Sequence, residues 1–561
     1  MYALLSILPI TLAICLMIFA KQKSSISILC AWVLAFLFSV TLWGMDILHA
    51  ITWTLFGFLQ AIPILVIVFG AIFMLNVLTR LDFIKTIGNS FNGLTTDRRV
   101  QIIIISWFFG SFIEGAAGFG APQAVAAPLM VGLGISPFFA ATAALVGNAG
   151  PVLFGAAGTP TTAGFATIEN TIDMYYSAGV LYANASDIFW QLNNALSFTN
   201  LFAIIFVPFL MIASVTARDG RKRGIKDAVA ILPLCIFAGL VFAIPAWLLS
   251  FLGPQLPTLA GAIVGLPAML FIVKKGILQP KEVYRFKDDP VDDTRKEGTG
   301  ISTLLAFSPY VIVALILVIT RLPFLPQIEQ FLRFHPNLQI NIPNLLGATN
   351  YLNNTINWNW QILWNPSILS FLPVTIFFLC ISKVEGKKTK VAGEIIRKTL
   401  SQIKHATIAL IFGVAMVQLM VNTNWTNPNI ELGSMTTEIA VALAGLLGPL
   451  YLLIAPFIGV LGAFVSGSHT VANVMFYGLQ MQTAMQLNLP VVSALVSQTT
   501  GGSAGNLIAI NNIVAASATT GYKGRETKLM AATIIPMLIY IFIVIIILYL
   551  SLLLGFINWV S

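Results

Sequence analysis

Charge is what this chain has least of. Asp, Glu, Lys and Arg together make up 9% of its 561 residues, while 58% are hydrophobic; a water-facing surface carries roughly 25–35% charged residues. A soluble globular protein is excluded, and lipid is the solvent for most of the chain. Cysteine is nearly as scarce. Cys15, Cys30, Cys235 and Cys380 each lie in an apolar run, away from any CxxC or Cys/His spacing, so they read as small core residues and not as redox or zinc ligands. HExxH is missing, as is any nucleophile with its base at motif spacing, which leaves an integral-membrane enzyme without support. The run Asp288, Asp289, Asp292 and Asp293 fits no EF-hand spacing and reads as a solvated linker. No metal and no cofactor is expected.

Long apolar runs are what the chain has in abundance. A helix needs about 20 apolar residues to cross the hydrocarbon, and twelve runs qualify: 2–20, 26–43, 58–79, 137–165, 196–216, 228–249, 257–273, 301–320, 367–382, 406–422, 491–517 and 532–554. The first has no basic segment before it and reads as a retained span. Two further stretches, about 98–135 and 436–488, are apolar but crowded with Gly, Pro, Ser and Thr. If each enters and leaves on one side as a re-entrant hairpin, all but two of the 30 Lys and Arg fall on one side of the membrane, the exceptions being Arg321 and Arg333. The positive-inside rule then makes that side cytoplasmic and both termini extracellular. The net charge of +9 reflects this orientation, and no nucleic-acid partner is expected. The loop 274–300 is cytoplasmic, the basic segment 384–404 lies on the inner membrane surface, and 321–366 is external, with Trp358, Trp360 and Trp364 suited to the interface.

Two echoes organise the interior. Gly110-Ser-Phe-Ile-Glu-Gly115 recurs as Gly462-Ala-Phe-Val-Ser-Gly467, offset by 352 residues; Leu145-Val146 followed by Gly155 recurs as Leu495-Val496 followed by Gly505, offset by 350. Each half reads as two spans, a hairpin, a span interrupted by Gly, Pro and polar residues, and a closing span. Seven spans separate the hairpins, so the second half is inverted. The expected fold is all-α and polytopic, with about twelve spans, two re-entrant hairpins and two inverted repeats: 1–220 the first, 221–366 connecting spans and loops, 367–561 the second. Small-xxx-small packing accounts for some of these glycines. Asn148 to Pro160 and Gln498 to Asn506 are read instead as breaks lining a cavity, because unpaired backbone survives at membrane depth only there.

Gly110-Ser-Phe-Ile-Glu-Gly-Ala-Ala-Gly-Phe-Gly-Ala-Pro122, Phe154-Gly-Ala-Ala-Gly-Thr-Pro160, Gly462-Ala-Phe-Val-Ser-Gly-Ser468 and Thr499-Thr-Gly-Gly-Ser-Ala-Gly-Asn506 closely resemble the lactate permease family over nearly the whole chain. The resemblance departs mainly at His469 and at 508–513. It implies proton-coupled uptake of lactate, or in some members glycolate, across a bacterial cytoplasmic membrane. The alternatives are a sodium-coupled carboxylate transporter and, further off, an anion channel.

No Lys or Arg lies within a predicted span, so a substrate carboxylate must be held by backbone N–H groups, by helix N-termini carrying roughly half a positive charge each, and by small polar side chains. The candidates are Gly115, Gly118, Gly120, Asn148, Thr159 and Thr161 in the first half, and Ser466, Ser468, His469, Thr470, Asn473, Thr499, Thr500, Ser503 and Asn506 in the second. A Ser or Thr in a membrane helix more often bonds its own backbone; clustering at both breaks is what raises this set. Glu114 is the clearest ionisable group at depth, since a carboxylate near the bilayer centre costs at least about 2.5 kcal/mol on insertion scales, and it is the candidate proton carrier. His469, at the opposite tip, is a second candidate.

Overall fold

The structure, a computed structural model, describes residues 2–20, 22–91, 95–118, 120–220, 224–280, 282–287, 300–322, 325–334, 336–342, 356–382, 387–423 and 432–554. The acidic run 288–293 lies outside them. Among the described residues, eight helices are long and apolar enough to cross a membrane: Ser24–Thr41, Ile47–Arg80, Arg98–Ala116, Ala185–Thr216, Leu232–Ser250, Pro257–Lys274, Lys388–Val421 and Glu526–Leu553. Shorter apolar helices accompany them, among them Tyr2–Met17, Thr303–Ile319 and Ser367–Ile381, and Pro137–Val146 with Pro151–Ala166 forms one pair bent by 58°. The chain is a mostly helical, multi-pass membrane protein.

Among the described residues, one element departs from an all-α chain. Asn337–Asn341 pairs antiparallel with Asn357–Gln361, a two-stranded ribbon whose Trp and Ile side chains suit a half-buried sheet face. Trp358 is buried with Trp53, Phe56 and Ile342 and is no interfacial anchor. Trp364 is flanked by the two exceptional arginines, Arg321 and Arg333, each guanidinium carbon 4.6 Å from its ring.

Side-chain bonds at the chain's turns gather most of the described basic loops at one end. Arg99 pairs with Asp97 at 2.7 Å, both side chains buried, and donates to Asp227 O at 2.7 Å and Glu282 O at 3.0 Å. Tyr284 Oη donates to Asp219 Oδ2 at 2.8 Å, while Phe138 packs on Tyr522. Arg98 Nη1 donates to Leu133 O at 2.7 Å, which holds the two ends of the segment 98–133 together. Its chain reverses between Gly110–Ala116 and Ala121–Gly132.

Tyr451–Ser466 and His469–Gln486 form the second reversal, with Tyr451 Oη donating to Gln480 Oε1 at 2.6 Å near its open end. Met435–Leu447 is a separate helix before it, so the hairpin is narrower than 436–488. Two further differences have clear causes. Gln498 to Gly505 is unbroken helix: a Cβ on Gly501 would stand 1.9 Å from Pro456 O and one on Gly505 2.5 Å from Val460 O, so these glycines serve close packing against Tyr451–Ser466. The break falls later, between Gly505 and Ile510. Lys388–Val421 is a single helix of 34 residues, about 50 Å long; the basic segment expected on the membrane surface is its first half.

Candidate functional site

The first break is built around Gly150, Pro151 and Gly158, residues that weaken or interrupt a helix. After Val146 the chain passes through Gly150 at φ 84°, a short turn at Pro151–Phe154, and three consecutive left-handed residues, Ala156, Ala157 and Gly158. A non-glycine residue in that conformation costs roughly 1–2 kcal/mol, so two adjacent alanines are held there by their surroundings, a mark of functional sites. The hairpin tip is part of those surroundings. A Cβ on Gly155 would stand 2.0 Å from Glu114 Oε1, and one on Gly118, itself at φ 58°, 2.9 Å from the Ala156 Cβ. Only glycine lets the Glu114 carboxyl sit flat against the break.

Glu114 is 2% exposed, and its Oε2 has no hydrogen-bond partner. The Asn148 side chain lies beside it, yet both Asn148 polar atoms also lack a partner. Buried polar atoms are normally satisfied, so a row of unsatisfied ones marks this junction of tip and break.

The second tip reaches across to the same break. Ser468 caps the helix His469–Gln486 by accepting from Val471 N at 3.3 Å. His469 Nδ1 lies 3.2 Å from Val152 O, Asn473 Nδ2 lies 3.2 Å from His469 Nε2, and Asn473 Nδ2 donates to Pro160 O at 3.1 Å. Because the Asn473 amide donates, Nε2 accepts and Nδ1 carries the ring proton. The first break also touches the helix Val491–Gly505, Gly150 N donating to Ser503 Oγ at 3.2 Å.

Between tips and breaks lies a cavity of about 540 Å³, within the size of small-molecule sites. Of the candidates, Glu114, Gly118, Gly120, Ser466, Ser468, His469, Thr470 and Asn506 line it. Three helices start on its wall, Ala121–Gly132, His469–Gln486 and Ile510–Thr520, so their partial positive ends converge there. Glu114 is the one acidic side chain among its described lining residues.

The other candidates are not on the wall. Gly115 packs against Leu259, where a Cβ would lie 2.9 Å from its N. Thr159 donates to Ala156 O, Thr499 to Leu495 O and Thr500 to Val496 O, the backbone bonding usual for hydroxyls in membrane helices, while Thr161 donates across the break to Leu153 O. Asn148, Asn473 and Ser503 stand behind the lining and hold or face the breaks.

Sequence reasoning missed the far end of the cavity, where Ser24, Asn76, Thr79, Lys398, Gln402 and His405 join the wall, and missed Asn511 and Asn512 at the second break. Asn76 was legible as a lone amide within an apolar run. Lys398 and His405 were not, because their helix looked like two separate segments.

The L-lactate permease family matches residues 2–555. A putative L-lactate permease of Haemophilus influenzae is 28% identical over 547 residues, covering 96% of each chain. The L-lactate permease of Bacillus subtilis is 28% identical over 519 residues, 87% of this chain and 85% of its own. The glycolate permease GlcA of Escherichia coli is 28% identical over 563 residues, 96% and 93%.

Proposed function

The chain belongs to the L-lactate permease family, and from that premise we propose that it is a secondary transporter, carrying L-lactate or a close 2-hydroxymonocarboxylate such as glycolate into a bacterial cell together with protons. The observation that carries this reading is the cavity wall. It joins three helix N-termini, which favour an anion, to one buried carboxyl group, Glu114.

These two features couple by repulsion. Two like charges about 5 Å apart at an effective dielectric constant of 20 repel by about 3 kcal/mol, more than a hundred-fold in binding. The anion therefore enters with Glu114 protonated, and a bound proton and a bound carboxylate travel as a neutral pair. Ser468, Thr470, Asn506 and Asn512 offer hydrogen bonds to the carboxylate and the 2-hydroxyl, while His469 keeps the second tip on the first break. The two tips and two breaks suit an inverted repeat, and the cavity's mouth at Ser24 and Lys398 suits an inward-open state with the basic loops cytoplasmic.

Proteoliposomes test this with an inward proton gradient and an inward sodium gradient imposed separately. Uphill accumulation of labelled L-lactate is expected with protons alone. Accumulation with sodium alone would overturn proton coupling, and none with either would overturn the transporter reading.

A further inference from the structure

The cavity has opposite electrostatic ends. At depth Glu114 is the only acidic side chain among the described lining residues, and the anion is met by neutral donors; at the mouth stand Lys398 and His405, on the helix Lys388–Val421, with Gln402 between them. Spacings of four and three residues put these three on one helical face. Two of them are fixed by neighbours. Asn76 Nδ2 donates to Gln402 Oε1 at 2.6 Å and to Thr399 Oγ1 at 3.0 Å, which leaves the Gln402 Nε2 amide as a free donor at the wall. Lys23 Nζ lies 3.2 Å from His405 Nε2, and Ser25 Oγ lies 3.3 Å from His405 Nδ1. A lysine ammonium only donates, so Nε2 accepts, Nδ1 faces the serine, and the ring holds a second ammonium beside the mouth.

We propose that Lys398, Lys23 and the Gln402 amide form a second carboxylate subsite at the cavity mouth, distinct from the site at the tips, where a small monocarboxylate rests between the deep site and bulk water. His405 is its positioning residue. The inference rests on the transport reading above. Its physical basis is division of labour: a fixed cation at depth would hold a monoanion too firmly to release it, whereas cations at the rim of a low-dielectric cleft draw the anion outward and raise its local concentration. Neutral donors inside and lysines outside give a downhill path for the anion once Glu114 gives up its proton.

The test uses Ala406→Cys in the full chain with Cys15, Cys30, Cys235 and Cys380 replaced, since Ala406 lines the cavity one turn beyond Gln402. In membrane vesicles exposing the mouth, a negatively charged and a positively charged methanethiosulfonate reagent are compared, each normalised to its rate with a free thiol. A preference of about ten-fold for the anionic reagent is expected, the low end of focusing by a charge-lined cleft. K398Q combined with K23Q abolishes it and raises the L-lactate concentration for half-protection about ten-fold; K398R with K23R retains both. An unchanged preference or unchanged protection in the neutralised variant overturns the subsite. The reagent preference needs no substrate, so it separates failure of this inference from failure of the transport reading, which lactate uptake in the same vesicles reports. H405A is expected to lose about half the logarithmic preference with Lys398 intact, which a merely structural histidine would not do.

Discussion

Replacing Gly155 with alanine probes Glu114 without touching it. Gly155 has φ −63° and ψ 157°, an extended conformation that alanine adopts freely, so the backbone carries no penalty. The whole effect comes from one methyl group. It would stand 2.0 Å from Glu114 Oε1, 3.0 Å from Cδ and 3.3 Å from Cγ, where ordinary contact begins at 3.4 Å. The carboxyl oxygen must move by about 1.4 Å, and overpacking of this kind costs roughly 1–3 kcal/mol. Displacement of a reacting group by about 1 Å can slow a step by about a hundred-fold. Proton-driven L-lactate uptake in proteoliposomes is therefore expected to fall at least ten-fold in Gly155→Ala, with surface expression retained. Thermal unfolding in detergent, alone and with Glu114→Ala, completes a double-mutant cycle: the methyl is destabilising beside glutamate and close to neutral once that side chain is cut back. Parental transport by Gly155→Ala, or an equal stability loss in both backgrounds, would refute the packing of carboxyl on break.

Glu114→Gln keeps shape and hydrogen bonding but cannot release a proton, so uphill accumulation of L-lactate is lost while counterflow of labelled for unlabelled substrate persists; accumulation equal to the parent's would exclude Glu114 as carrier. Asn506→Ala removes a side chain from the cavity wall and is expected to weaken L-lactate binding by roughly 1–3 kcal/mol, whereas Thr500→Ala, whose hydroxyl bonds Val496 O, leaves affinity within two-fold, both read by competition against labelled lactate. The same competition ranks propionate about ten-fold or more below lactate if the wall reads the 2-hydroxyl. Single cysteines at Ser24 and Lys523 are expected to resist an impermeant thiol reagent in intact cells while one at Asn341 reacts; labelling at position 523 from outside would break the threading.

Much of the membrane architecture was legible because the bilayer imposes it locally. The scarcity of charge and the apolar runs depend on composition and on window length, and each of the twelve runs carries helix, with an interruption in 137–165 and in 491–517. The Asn148 to Pro160 break was equally visible, since Pro151 brings no backbone N–H and Gly150 and Gly158 take a positive φ that a right-handed helix does not. Glycines are otherwise ambiguous in one dimension: Gly501 and Gly505 looked like a second break, but what they meet is Pro456 O and Val460 O on another helix, so the chain stays helical through them. The same limit applied to the site. Composition at the tips and breaks named Glu114, Ser468, His469 and Asn506, yet whether a hydroxyl faces the cavity or its own backbone is set by the rotation of the helix that carries it, which is why Thr499 and Thr500 fell behind the wall. Lys398, His405 and Asn76 come from chain segments more than 300 residues apart, and only the packing of Lys388–Val421 along Ile47–Arg80 decided that they share a cavity with Glu114.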